Sequence, residues 1–129
     1  MEIQVRLTQV DCVSEATQII ADGRAVLHGH TLIYAESQHP EIYHEVTFGR
    51  QKILLRRRTE YGSQVLLDRS GRGSASIKSP YGEMRLEAVL SAVEQQDDRW
   101  MVEYQLLDDS HAVVTHQRMI WELTGISDS

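Results

Sequence analysis

The chain opens on strict alternation, with Ile3, Val5 and Leu7 interleaved with Glu2, Gln4, Arg6 and Thr8. A period of two puts apolar side chains on one face of an extended segment and polar ones on the other, so a half-buried strand is predicted there. The same rhythm returns over Ile42 to Phe48, Lys52 to Arg58 and Gln64 to Asp68. It is cleanest where Trp100, Val102, Tyr104 and Leu106 alternate with Met101, Glu103 and Gln105. Leu32, Tyr34 and Glu36 would share one face of a further strand, ended by Ser37-Gln38-His39-Pro40, and Ala112 to Leu123 would form the last one. Between these runs stand turn formers: Gly49-Arg50-Gln51, Tyr61-Gly62, Arg69 to Gly73 and Asp108-Asp109-Ser110. Asp22-Gly23 is the best short hairpin signal, and it would divide residues 14–22 from a second strand at Arg24 to His30.

Ile77 to Val93 carries the most information and one ambiguity. Pro80 fixes its own φ and pushes Ser79 toward extended geometry, while Gly82 permits a positive φ, so Ser79-Pro80-Tyr81-Gly82 reads as a corner. Beyond it Glu83, Arg85 and Glu87 alternate with Met84, Leu86 and Ala88 as in a strand. Leu86, Val89, Leu90 and Val93 also fit the i, i+3, i+4, i+7 spacing of a helix. The strand reading is preferred because the rest of the chain is strand-like. The pattern then predicts eight to ten short strands in one domain spanning 1–129, all-β, as an antiparallel barrel or a sandwich. Closure into a barrel would remove the unpaired edges that a flat sheet would carry.

Composition narrows the function classes. The chain has 129 residues and a net charge of −6, a balance that disfavours a large phosphate-binding surface and so a nucleic-acid partner. Cys12 is alone, which leaves no disulfide framework and no cysteine zinc site, and fits a reducing compartment. The first residues lack a basic segment followed by an apolar one, and no apolar run approaches membrane-spanning length, so a cytoplasmic protein without a membrane partner is expected.

Several stretches together resemble a bacterial family. Thr31-Leu32-Ile33-Tyr34-Ala35-Glu36, Glu45-Val46-Thr47 leading to Ile53-Leu54-Leu55-Arg56-Arg57, Ser79-Pro80-Tyr81-Gly82-Glu83-Met84, and Val102-Glu103-Tyr104 carry the likeness. They are similar to stretches of the YwiB-like proteins, small calycin-type (lipocalin-like) β-barrels without an assigned function. Relatives usually have Gly at the position of Thr59. The resemblance implies a calycin-type barrel and brings no activity, substrate or cofactor with it.

Candidate chemistry is sparse. His28-Gly29-His30 would place two imidazoles on one side of a strand, with Glu36, His39 or His44 as conceivable third ligands, but two convergent groups do not make a metal site. None is expected, and no cofactor. In Arg56-Arg57-Arg58 the middle side chain points with Ile53 and Leu55. If that face is the interior, Arg57 stands at a barrel mouth, gripping a ligand carboxylate or phosphate or else paired internally with a carboxylate such as Glu36. Tyr34, Tyr81, Tyr104, Trp100 and Trp121 would touch the interior or its rims. With Trp100, Tyr104, Phe48, Met84, Leu86, Leu55 and Trp121 inside, a small or partly filled cavity is expected. No nucleophile elbow, phosphate loop, dinucleotide fingerprint or zinc-protease motif occurs in the chain. The expectation is a non-enzymatic barrel that binds a small apolar or amphipathic ligand through Arg57, Tyr34, Glu36 and Tyr104. The alternative is a packed barrel that serves as a protein-interaction or homodimer module.

Overall fold

The computed structural model describes residues 1–125, and in it every element is a strand. In chain order these are β1 (Glu2–Asp11), β2 (Thr17–His28), β3 (Thr31–Ala35), β4 (Tyr43–Phe48) and β5 (Lys52–Arg58). They continue as β6 (Ser63–Asp68), β7 (Arg72–Ser79), β8 (Gly82–Gln95), β9 (Arg99–Leu107) and β10 (Val113–Thr124). Each pairs antiparallel with its sequence neighbour, and β1 pairs with β10 to close an up-and-down barrel of ten strands. Closure leaves no free edge, as the strand count and composition called for. No helix among the described residues is long and apolar enough to cross a membrane.

Alternation becomes inside and outside. Ile3, Val5 and Leu7, then Leu32 and Tyr34, Val46 and Phe48, and Trp100 through Leu106 at every second residue, point inward and are buried. In the middle of β2 the inward residues are small: Ala21, Gly23 and Ala25 lie opposite Leu7, Val5 and Ile3. Small residues on one wall make room for large ones on another, where Phe48 meets Trp100 at 4.7 Å between ring centres and Trp121 edge-on at 5.8 Å. Gly73 serves close approach: a Cβ there would lie 1.9 Å from the carbonyl oxygen of Leu66.

Two local readings are overturned or explained. Asp22-Gly23 is not a turn, since both residues lie within β2, paired with Arg6 and Val5. The carboxylate of Asp22 accepts from Arg6 Nε at 3.3 Å, and its N–H donates to Ser37 Oγ at 2.7 Å, so tertiary partners outweigh the local hairpin preference. The hairpin closes instead at Gly29-His30, with Gly29 at φ 62° and His28 paired with Thr31. That geometry takes His28 and His30 off a common strand face. The ambiguous 83–94 segment is strand; a bulge between Leu90 and Ala92 accounts for the Leu90-to-Val93 step of its helix-like spacing, and Val89 pairs with Gln105 on the outer face. One extra residue turns the inward step after Leu86, Ala88 and Leu90 into a step of three, to Val93. Met84, expected inside, is half exposed near the start of β8, and Tyr81 stands fully exposed at the tip of the Pro80-Tyr81 turn.

Candidate functional site

The loops between β1 and β2, β3 and β4, β5 and β6, β7 and β8, and β9 and β10 all gather at one end of the barrel. Toward that end the inward positions change character. Along β1 the series Ile3, Val5, Leu7 continues to Gln9, and along β10 the series Leu123, Trp121, Met119 continues to Gln117. The corresponding places are held by Tyr34 on β3 and Glu36 just beyond its end, by His44 on β4 and by Arg57 on β5, with His44 paired to Tyr34 on one side and to Arg57 on the other.

These groups form one hydrogen-bonded chain. Trp121 Nε1–H donates to the Tyr34 hydroxyl at 2.7 Å. The same hydroxyl lies 3.2 Å from His44 Nδ1, and because the ionised Glu36 carboxylate can only accept, the proton of the neutral imidazole is on Nε2 and the phenol O–H donates to Nδ1. Nδ1 is then the acceptor, and Nε2–H donates to Glu36 Oε2 at 2.7 Å. The same Oε2 accepts from Arg57 Nε–H at 2.8 Å. The imidazole thus keeps its proton on Nε2, and the ionised carboxylate sits between two donors.

Electrostatics agree with this assignment. Burial holds the His44 pKa below its ordinary value, against the opposing pull of Glu36. For Glu36, burial acts to raise the pKa, and the hydrogen bonds from Arg57 and His44 outweigh it, leaving the carboxyl below its usual range. Complete burial pushes the Tyr34 phenol far up, so it stays protonated and remains a donor. Across the mouth, Gln9 Nε2 donates to Gln117 Oε1 at 2.9 Å, and Gln117 Nε2 donates to the Tyr104 hydroxyl. No buried side-chain nitrogen or oxygen among the described residues lacks a partner.

Behind the rim lies a cavity of about 340 Å³, with Ile20, Val46, Leu55, Val65, Met119 and Trp121 as its apolar lining. Its polar lining includes Gln9, Glu36, His44, Arg57, Ser63, Tyr104 and Gln117. A second space of about 480 Å³ opens beside it and shares Arg57, Ser63, Val65, Tyr104 and Gln117. The Arg57 side chain is 43% exposed, and its two terminal nitrogens have no partner among the described residues. Its neighbours Arg56 and Arg58 face outward, 3.8 and 3.6 Å from Glu45.

The structure thus brings together Arg57, Glu36, Tyr34 and Tyr104, and joins Arg57 to Glu36, the internal partner anticipated for it. It brings in His44, named with Glu36 on the sequence as a conceivable metal ligand and found here as its hydrogen-bond partner, and adds Gln9 and Gln117, which the sequence did not single out. A signal for the glutamines was present: each is a polar residue at the apolar beat of an alternating strand. His39 stays outside this group, 3.7 Å from Glu41 at the surface.

No protein-family model and no curated protein sequence matches the chain. Among solved structures it is similar to the crystal structure of the ywiB protein from Bacillus subtilis, at 12% identity over 98% of this chain and 91% of that one, with a TM-score of 0.59. At that identity the likeness is one of fold. The strands on which the resemblance to YwiB-like proteins rested and this structural likeness meet on the same closed barrel.

Proposed function

We propose that the barrel is a binding protein of calycin type that holds one small amphipathic molecule in its open end, with an anionic head on the free nitrogens of Arg57. The observation that carries this reading is the pairing of an apolar-lined cavity, in the size range of small-ligand pockets, with a guanidinium already oriented by Glu36. Orientation before binding reduces the ordering cost that the ligand must overcome. Tyr104 and Gln117 supply further polar contacts between the two spaces. A binding role fits better than an enzymatic one because Tyr34, the hydroxyl nearest His44, is committed to Trp121 and sealed inside the wall.

Native mass spectra of protein purified gently from its expression host, repeated after denaturation, test the reading. A stoichiometric small molecule that is released on unfolding and fails to co-purify with Arg57→Met is the expected result. Bare protein from several hosts, with no shift in thermal stability on titration with medium-chain carboxylates, would sink it.

A second reading rests on the outer wall, where Val26 and Ile33 are cross-strand neighbours, 49% and 38% exposed. An apolar pair at that place suits a contact with a second copy of the chain in a cytoplasmic homodimer. The same spectra report it as a dimer mass that disappears in Val26→Lys.

A further inference from the structure

On the outer wall, separate from the cavity, the closure seam of the barrel brings together three side chains of different ligand chemistry. Cys12 follows the end of β1, Glu103 lies on β9 and His116 on β10. The Cys12 N–H donates to the His116 carbonyl at 2.9 Å, and Glu103 faces Arg118, two residues from His116. A thiol sulfur, an imidazole nitrogen and a carboxylate oxygen all lie within 4.8 Å of one another, each on a half-buried residue. We propose that Cys12, Glu103 and His116 form a three-ligand site for a borderline divalent transition metal, Zn²⁺ or Co²⁺, with a fourth position open to water or an exogenous ligand.

Ligand type argues for this class of ion. One sulfur, one nitrogen and one oxygen suit Zn²⁺ or Co²⁺, whereas Mg²⁺ and Ca²⁺ require a shell of oxygens. Geometry is close to what coordination needs. Metal–ligand bonds of about 2.0–2.3 Å in a tetrahedron set the donor atoms roughly 3.3–3.8 Å apart. His116 Nε2 and Glu103 Oε2 are 3.0 Å apart, so a small side-chain adjustment admits the ion.

The carboxylate is already divided between two tasks. Arg118 donates from Nε at 3.1 Å and from Nη2 at 2.8 Å to Oε1, which leaves Oε2 turned toward His116. An outer partner of this kind orients a ligating carboxylate. The sulfur is unspent, with only a 4.0 Å contact to the Val10 carbonyl among the described residues. Burial, then the charge of Glu103, pushes the Cys12 thiol up, so the metal displaces a proton to solvent as the sulfur–metal bond forms. Bound there, the ion would tie β1, β9 and β10 together across the seam.

The test is titration of the reduced, metal-stripped full chain with Co²⁺. Cys12 is the single cysteine in the sequence, so a thiolate-to-cobalt absorption band reports that residue alone. The expected result is a band that saturates at one ion per chain, accompanied by visible bands of tetrahedral cobalt, and is displaced by Zn²⁺. It disappears in Cys12→Ser and in His116→Ala, and weakens in Glu103→Gln, which keeps the side-chain size. Absence of the band at stoichiometric cobalt would leave the cluster an ion pair and overturn the site. So would a band that survives His116→Ala, or one that saturates at half an ion per chain in a dimer, because the sulfurs would then come from two copies.

Discussion

The two ends of this barrel are built from the same strands and solve opposite problems. At one end Phe48, Trp100, Ile53, Leu67, Leu32 and Val5 fill the interior, helped by the small residues of β2. At the other, the same inward rows carry glutamine, histidine, glutamate and arginine, and the interior stays hollow. Apolar packing needs only shape and volume, whereas buried polar groups need a partner for every donor and acceptor. The open end meets that demand with two hydrogen-bonded chains, one from Trp121 to Arg57 and one from Gln9 to Tyr104. The difference teaches that hollowness here is supported by a built polar wall.

The sharpest way to break the comparison is to hollow the packed end. Phe48→Ala removes a ring held between two indoles and should cost about 3–5 kcal/mol in urea unfolding. Ser63→Ala, at the mouth, should cost within about 0.5 kcal/mol. Equal losses from the two changes would mean that the mouth is as tightly packed as the floor.

Next in size is Tyr34→Phe. The ring stays, but Trp121 Nε1–H loses its acceptor and His44 Nδ1 loses its donor, for an expected cost of about 1–3 kcal/mol. A neutral change would show that water already reaches these atoms, moving the boundary between the two ends below Trp121.

Acidification probes the same wall without mutation. The pKa of His44 in the folded protein lies below its ordinary 6.5, so the unfolded chain binds the extra proton more readily. Stability should therefore be fully present above pH 6.5 and decline as the pH falls below it toward the folded value. Protonation would put a second donor on the Tyr34 oxygen and leave the phenol proton without its acceptor. Glu36, held below its ordinary 4.5, adds a second decline below that pH. Denaturant midpoints measured at intervals from pH 8 to pH 3 give both limbs, and His44→Gln should remove the upper one. An upper limb unchanged in that variant would assign it to another group.

Arg57 should affect stability less than Tyr34 does, and binding more. Its guanidinium is half exposed, so Arg57→Met should change unfolding free energy by only about 1 kcal/mol while abolishing capture of an anionic ligand. A loss of several kcal/mol would make Arg57 part of the packed scaffold and remove it as a ligand group.

Much of this molecule was legible as a pattern of twos. The alternation at Ile3 to Leu7 and at Trp100 to Leu106 identifies strand and inward face together, because a strand has no other way to bury every second residue. Arg57 could be assigned to the inward side for the same reason, and Glu36 named as its partner. Short-range turn chemistry was a weaker guide. Asp22-Gly23 has the composition of a hairpin turn, yet Arg6, Val5 and Ser37 hold it inside a strand, while Gly29 makes the turn in its place. The apparent helix at 83–94 came from an outward-facing Val89 and a bulge after Leu90, a feature of pairing between strands that a one-dimensional pattern does not contain.

The sequence by itself determined that the chain is a succession of strands with one wet and one dry face, since burial and strand period are local properties. Which strands close the barrel, which end stays hollow, and which histidine meets which carboxylate were decided only by the tertiary structure. His44 meets Glu36, and His116 meets Glu103, because antiparallel register carries residues distant in the chain to within hydrogen-bonding distance. That convergence depends on strand order and stagger, quantities set by the closed sheet as a whole.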